Sequence, residues 1–150
     1  MTTPKTVAVG VALAAAAVVL APSATAGMQL GNYENQTPRD PGHSWLWEVR
    51  ECVRDHRPVN SADCVHVFAI PRPNGQATPW SADGHLVNGR YTMVVDVPDG
   101  VRCTVYFLPS HDTYSWDMVT LQGSVDSTFD AGCGNAPGGT VSYPFTLVRF

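Results

Sequence analysis

RYTMVVDVPDGVRCTVYFL, running from Arg90 to Leu108, is the stretch that decides the fold class. In its first half Tyr91, Met93, Val95 and Val97 alternate with Arg90, Thr92 and Asp96. A period of two is that of a strand with one buried face. Pro98-Asp99-Gly100 follows at once. Asp-Gly between two alternating runs is a hairpin cue, because the tight turn needs backbone angles that Asp and Gly tolerate. The strand is therefore expected to stop at Val97 and to return over Val101 to Leu108, with Val101, Cys103, Val105 and Phe107 on its inner face.

The same alternation recurs outward from this hairpin. In Ser44 to Cys52, Trp45, Trp47 and Val49 share one face, while Glu48 and Arg50 take the other. Cys64 to Ile70 is rich in β-branched and aromatic residues, and His66 should point away from the face of Val65 and Val67. Val119 to Phe129 reads as a strand with a bulge at Gly123. Thr140 to Phe150 reads as the last, with Val141, Tyr143, Phe145 and Leu147 together. Pro144 inside it predicts an edge or a bulge, since proline cannot donate to a ladder. Leu30 to Glu34 and Thr78 to Ser81 are weaker strands, and Asn32 to His43 reads as a loose polar arm. Turn clusters are expected at Pro58–Asp63, Pro71–Gly75, Asp83-Gly84, Pro109–Asp112 and Gly132–Gly139. No run carries helical periodicity. Seven or eight short strands so spaced predict one all-β domain, an antiparallel up-and-down barrel or a curved sandwich.

Of the 150 residues, 44% are hydrophobic and only 15% charged, with a net charge of −4. That excludes disorder and gives no basis for nucleic-acid binding. Part of the apolar share lies in a leader. Lys5, the one lysine, precedes the apolar run Val7 to Ala21, which Pro22 ends before Ala24-Thr25-Ala26. The run is too short to span a bilayer and suits a signal peptide over residues 1–26, cut before Gly27. The secreted domain is then 27–150, without a membrane span.

Cys52, Cys64, Cys103 and Cys133 are an even set in an exported chain, so disulfides are expected. Three connectivities are open. Cys52–Cys64 would close a short loop across successive strands, which forces Cys103–Cys133; the closures would contribute roughly 3 and 4 kcal/mol. No C-x₂-C pair supports zinc.

Several features of this sequence resemble the small exported proteins of mycobacteria and their relatives. They are Gly31-Asn-Tyr33, Trp45-x-Trp47, Cys64-Val-His-Val67, Gly89-Arg-Tyr91-Thr and Val97-Pro-Asp-Gly100. Further on come Tyr114-Ser-Trp116-Asp, Thr120-Leu-x-Gly123, Cys133-Gly134 and Tyr143-Pro-Phe145-Thr-Leu147. The likeness covers nearly all of residues 27–150. It implies an all-β, disulfide-linked, extracytoplasmic domain, and brings no catalytic residues or cofactor.

Chemistry-bearing motifs are sparse. Ser110-His111-Asp112 holds the residue types of a hydrolase triad, but adjacent side chains cannot form the relay, and no Gly-x-Ser-x-Gly elbow exists. His43, His56, His66, His85 and His111 have no ligand spacing. Gly132, Gly134, Gly138 and Gly139 precede a strand rather than the helix of a phosphate cradle. Asn35-Gln-Thr37 matches a glycosylation sequon, read as accidental because the leader and the resemblance suggest a bacterium. Trp80, Tyr114 and Trp116 stand beside polar and turn residues. They are the candidate ligand contacts, lining a barrel mouth for a sugar or an apolar ligand; the competing reading has them plugging the barrel. The expected function is that of a secreted, non-enzymatic binder of a small molecule, an envelope glycan or a protein. A cell-envelope hydrolase and a surface or host-interaction protein are the alternatives.

Overall fold

The computed structural model describes residues 27–60, 62–73 and 76–150. The leader assigned to residues 1–26 lies outside them. Ten strands follow in chain order: β1 (Gly31–Gln36), β2 (Ser44–Glu51), β3 (Val53–Arg54), β4 (Arg57–Pro58), β5 (Cys64–Arg72), β6 (Trp80–Val87), β7 (Arg90–Arg102), β8 (Phe107–Asp117), β9 (Gln122–Ala131) and β10 (Pro137–Arg149). Eight close into an antiparallel barrel, each paired with its sequence neighbour and β10 with β1. β3 and β4 form a separate ribbon between β2 and β5. Of the two architectures the sequence allows, the chain takes the barrel, in which every strand has a neighbour on each side.

The alternation places Trp45, Trp47 and Val49 inward, all buried. Trp47 packs with Trp80, Tyr114, Trp116 and Phe145 at centroid distances of 5.3 to 6.0 Å. These rings fill the interior, as expected of a barrel this narrow. Gly84 and Gly123 make room for them. A Cβ at Gly84 would stand 2.8 Å from the Trp116 ring, and one at Gly123 would stand 2.4 Å from the Ser115 carbonyl. Gly84 therefore lies within β6, not in a turn. Gly123 is regularly paired with Phe145 and Trp116 rather than bulged. Residues 119–121 precede β9 rather than opening it.

Pro144 behaves as read. Its carbonyl accepts from the Thr37 hydroxyl at 3.0 Å, so its missing N–H would face the β1 side. The β1 ladder has already ended there, at Gln36 opposite Thr146. Both disulfides are formed as expected, Cys52–Cys64 and Cys103–Cys133, and no cysteine is free. Paired cysteines of this kind suit an oxidising, extracytoplasmic environment. Among the described residues no helix is long and apolar enough to cross a membrane.

The stretch that gave the fold class is itself built differently. β7 runs on to Arg102, and the turn falls at residues 103–106. Pro98-Asp99-Gly100 is an irregularity inside the strand: Val97 pairs with Ser110, and Val101 with Leu108. Three residues face one, so the segment is bulged. The expected inner face fails with the turn, as Val105 is 86% and Phe107 45% exposed. Pro109–Asp112 is strand, not turn. The arm expected over Asn32–His43 is strand β1 up to Gln36, followed by a loop that folds over the barrel end.

Candidate ligand-binding site

That loop, Thr37 to His43, is stitched to β10 by the Thr37–Pro144 bond, while the Thr37 hydroxyl also accepts the Arg39 N–H at 3.3 Å. Arg39 then enters the barrel. Its guanidinium meets Asp112 at 2.5 Å, with the Arg39 side chain 9% exposed and that of Asp112 fully buried. Arg39 also donates to the Gly100 carbonyl at 2.6 Å, to Ser127 Oγ at 3.0 Å and to Ser110 Oγ at 3.3 Å. Ser110 and Tyr114 donate in turn to Asp112 at 2.7 and 3.3 Å. Burial works against the Arg39 charge, yet Tyr114 and Asp112 outweigh it and raise its pKa. Burial likewise pushes the Tyr114 phenol well above its ordinary value.

The bulge explains why this knot can form. It brings the Gly100 carbonyl within reach of Arg39, and glycine fits there without displacing a neighbour, since a Cβ would lie 1.7 Å from Ser110 Oγ. The Asp99 carboxylate anchors the outer side by accepting from the Thr78 N–H and hydroxyl, each at 2.7 Å.

Asp40, next in the loop, accepts from Trp45 Nε1 at 3.1 Å and faces Arg102 Nε at 3.5 Å. Arg102 lies over the Trp45 ring, 5.3 Å from its centroid. A cleft of about 410 Å³ opens beside this pair, lined by Asp40, Pro41, His43, Arg102, Thr104 and Phe107 among others. A smaller cavity of about 150 Å³ lies on the other side of Arg39, against Phe129, Val141 and Tyr143. Two atoms of the cleft residues are buried without a hydrogen-bond partner, Arg102 Nη2 and His43 Nδ1.

The residues singled out from sequence fall elsewhere. Trp80, Tyr114 and Trp116 are 6%, 5% and 0% exposed, within the packed interior and not on its rim. Tyr114 reaches the mouth through its hydroxyl, which donates to Asp112 and accepts from Arg39 at 3.4 Å. Ser110 and Asp112 point into the barrel. His111, between them on the strand, points out and pairs with Asp96 at 2.7 Å. Alternation thus splits the would-be triad between two faces. His66 pairs outside with Asp83 at 2.6 Å. Among the described residues, the one group with metal-ligand spacing is Cys52, Cys64 and Asp83. Its sulfurs are already joined in a disulfide.

Arg39, Asp40 and Arg102 were not legible as a site. A signal did exist: Ser110, Asp112, Tyr114 and Trp116 share one strand parity, so a carboxylate lies on an inward row. A buried carboxylate demands a cation, and Arg39, set between Pro38 and Pro41, supplies it.

No protein-family model, no curated protein and no solved structure matches the chain.

Proposed function

We propose that this chain is an exported β-barrel protein that binds a small molecule in the cleft between the Thr37–His43 loop and the tip of the β7–β8 hairpin. The observation that carries the reading is the cleft itself. Its volume of about 410 Å³ lies within the ~300–1,000 Å³ typical of ligand sites. Its wall combines an exposed aromatic, Phe107, with polar groups that the fold leaves unsatisfied. Such walls hold a ligand by apolar area and orient it by a few polar contacts. Cys103 belongs to the lining, so the Cys103–Cys133 disulfide pins one side of the cleft to the 3₁₀ turn at Cys133–Asn135. Export is supported by the leader pattern together with the paired cysteines.

Titration with N-phenyl-1-naphthylamine, an uncharged aromatic fluorophore, tests the cleft. The expected result is saturable fluorescence enhancement that Thr104→Trp, which fills the cleft from its rim, abolishes. Phe107→Ala should weaken it about tenfold through lost aromatic contact. Absence of binding, or binding indifferent to Thr104→Trp, overturns the reading.

A further inference from the structure

Arg39 and Arg102 stand side by side at the mouth, but their bonding differs. Arg39 has a carboxylate, a carbonyl and two serine hydroxyls as acceptors, all within hydrogen-bond distance. Arg102 has one acidic neighbour, Asp40, at 3.5 Å from Nε. That is longer than the ~2.7–2.9 Å of a formed charge-assisted bond. Its Nη2 has no partner although buried, a state that costs a guanidinium the full loss of hydration. Asp40 cannot turn fully toward it, because the Trp45 indole N–H holds the other carboxylate oxygen. Arg102 is thus a positioned, stacked and under-bonded cation at the edge of a cleft that Phe107, its cross-strand neighbour, also lines.

We infer that the ligand of this cleft is an organic acid with a flat apolar body, its acidic group engaging Arg102 in competition with Asp40. This rests on the cleft being a ligand site. An oxyacid presents two or more acceptors to the fork of a guanidinium, which is the match Arg makes best. The body of the ligand then lies toward Phe107 and Pro41. His43, whose Nδ1 also lacks a partner, lies on the same wall. Arg39 does not compete, since its donors are spent on Asp112, Gly100 and Ser127.

Two fluorophores with the same ring system separate the acid from the body. These are 8-anilinonaphthalene-1-sulfonate and the uncharged N-phenyl-1-naphthylamine. The folded wild-type protein should bind the sulfonate roughly tenfold more tightly than the neutral probe, the worth of one charge-assisted bond. Arg102→Gln should erase that preference, bringing the ratio of the two affinities to about one. Asp40→Asn removes the competitor but can still accept from Trp45. It should tighten the sulfonate several-fold relative to the neutral probe. If the neutral probe binds and Thr104→Trp excludes it, yet the sulfonate binds no better or its preference survives Arg102→Gln, the acid assignment falls and the cleft stands. If Asp40→Asn leaves sulfonate binding unchanged, the competition falls. If neither probe binds the folded protein, the cleft reading itself falls.

Discussion

At the end of the barrel where Tyr91 and Trp116 stack at 5.2 Å, the chain enters as an apolar stopper. Met28 is 3% exposed, its N–H donates to the Tyr91 hydroxyl at 3.1 Å, and its sulfur takes the Trp116 indole N–H at 3.4 Å. At the other end the chain enters as a cation. Arg39 is buried on Asp112, and a second arginine, Arg102, lines the same cleft. Apolar closure is non-directional, so it is complete once area is covered. Polar closure must answer every donor separately, and a donor left over remains able to bind something else. Of the buried polar atoms without a partner, Arg102 Nη2 and His43 Nδ1 belong to residues that line the cleft, whereas Asn35 Oδ1, Trp47 Nε1 and Trp80 Nε1 do not. The proposed ligand site therefore falls at the polar end, while the apolar end is closed by packing.

The largest effect should come from breaking the polar plug. Asp112→Ala leaves the Arg39 guanidinium buried without its counter-charge, and removal of one partner of such a pair costs about 3–5 kcal/mol. The double variant Arg39→Met with Asp112→Leu should recover most of that loss, because no charge is then stranded. Urea unfolding of the three proteins measures both. A single variant as stable as wild type would mean that Arg39 escapes to solvent, and the two ends would no longer differ as described.

The apolar stopper should be less costly to remove. Met28→Ala loses buried side-chain volume in the non-strand segment that precedes β1, so about 2 kcal/mol is expected, the low end of large-to-small changes. The neutral fluorophore's affinity at the opposite end should not move. A change in that affinity without loss of stability would contradict the division of labour between the ends.

Much of the barrel was legible because alternation is a local signal that survives closure. Trp45, Trp47 and Val49, the outward His66, both disulfides and the local edge at Pro144 all follow from a few neighbouring residues. The mouth was not, because its contacts join residues far apart in the chain. Pro98-Asp99-Gly100 carries the chemistry of a turn, and a bulge uses the same residues for the same reason, tolerance of a backbone that departs from the ladder. What decides between them is whether β8 continues opposite β7 beyond Val97. That depends on an acceptor for Arg39, 61 residues earlier. Ser110-His111-Asp112 was obscured likewise: read as a tripeptide it suggests a turn, read by parity it puts a carboxylate inside.

Gly100→Ala addresses that misread segment directly and should have the smallest effect of the three. Gly100 is not held at a left-handed φ, so the cost is one of space rather than of backbone conformation. A Cβ would stand 1.7 Å from Ser110 Oγ, 2.7 Å from Ser110 Cβ and 3.1 Å from Arg39 Nη2. Rotation of Ser110 relieves the first contact but not the second, so β7 and β8 must part slightly at the bulge. Overpacking of this kind costs about 1–2 kcal/mol. Pairing it with Ser110→Ala separates the two contacts: the loss should persist, because the Cβ remains. Gly139→Ala, in β10 with nothing within 4 Å of its Cβ position, is the control and should stay within about 0.5 kcal/mol of wild type. Thermal unfolding of the set decides the point. A Gly100→Ala protein as stable as Gly139→Ala would mean that Pro98-Asp99-Gly100 turns away from Ser110 as a free hairpin would, and that the Arg39 knot forms without the bulge.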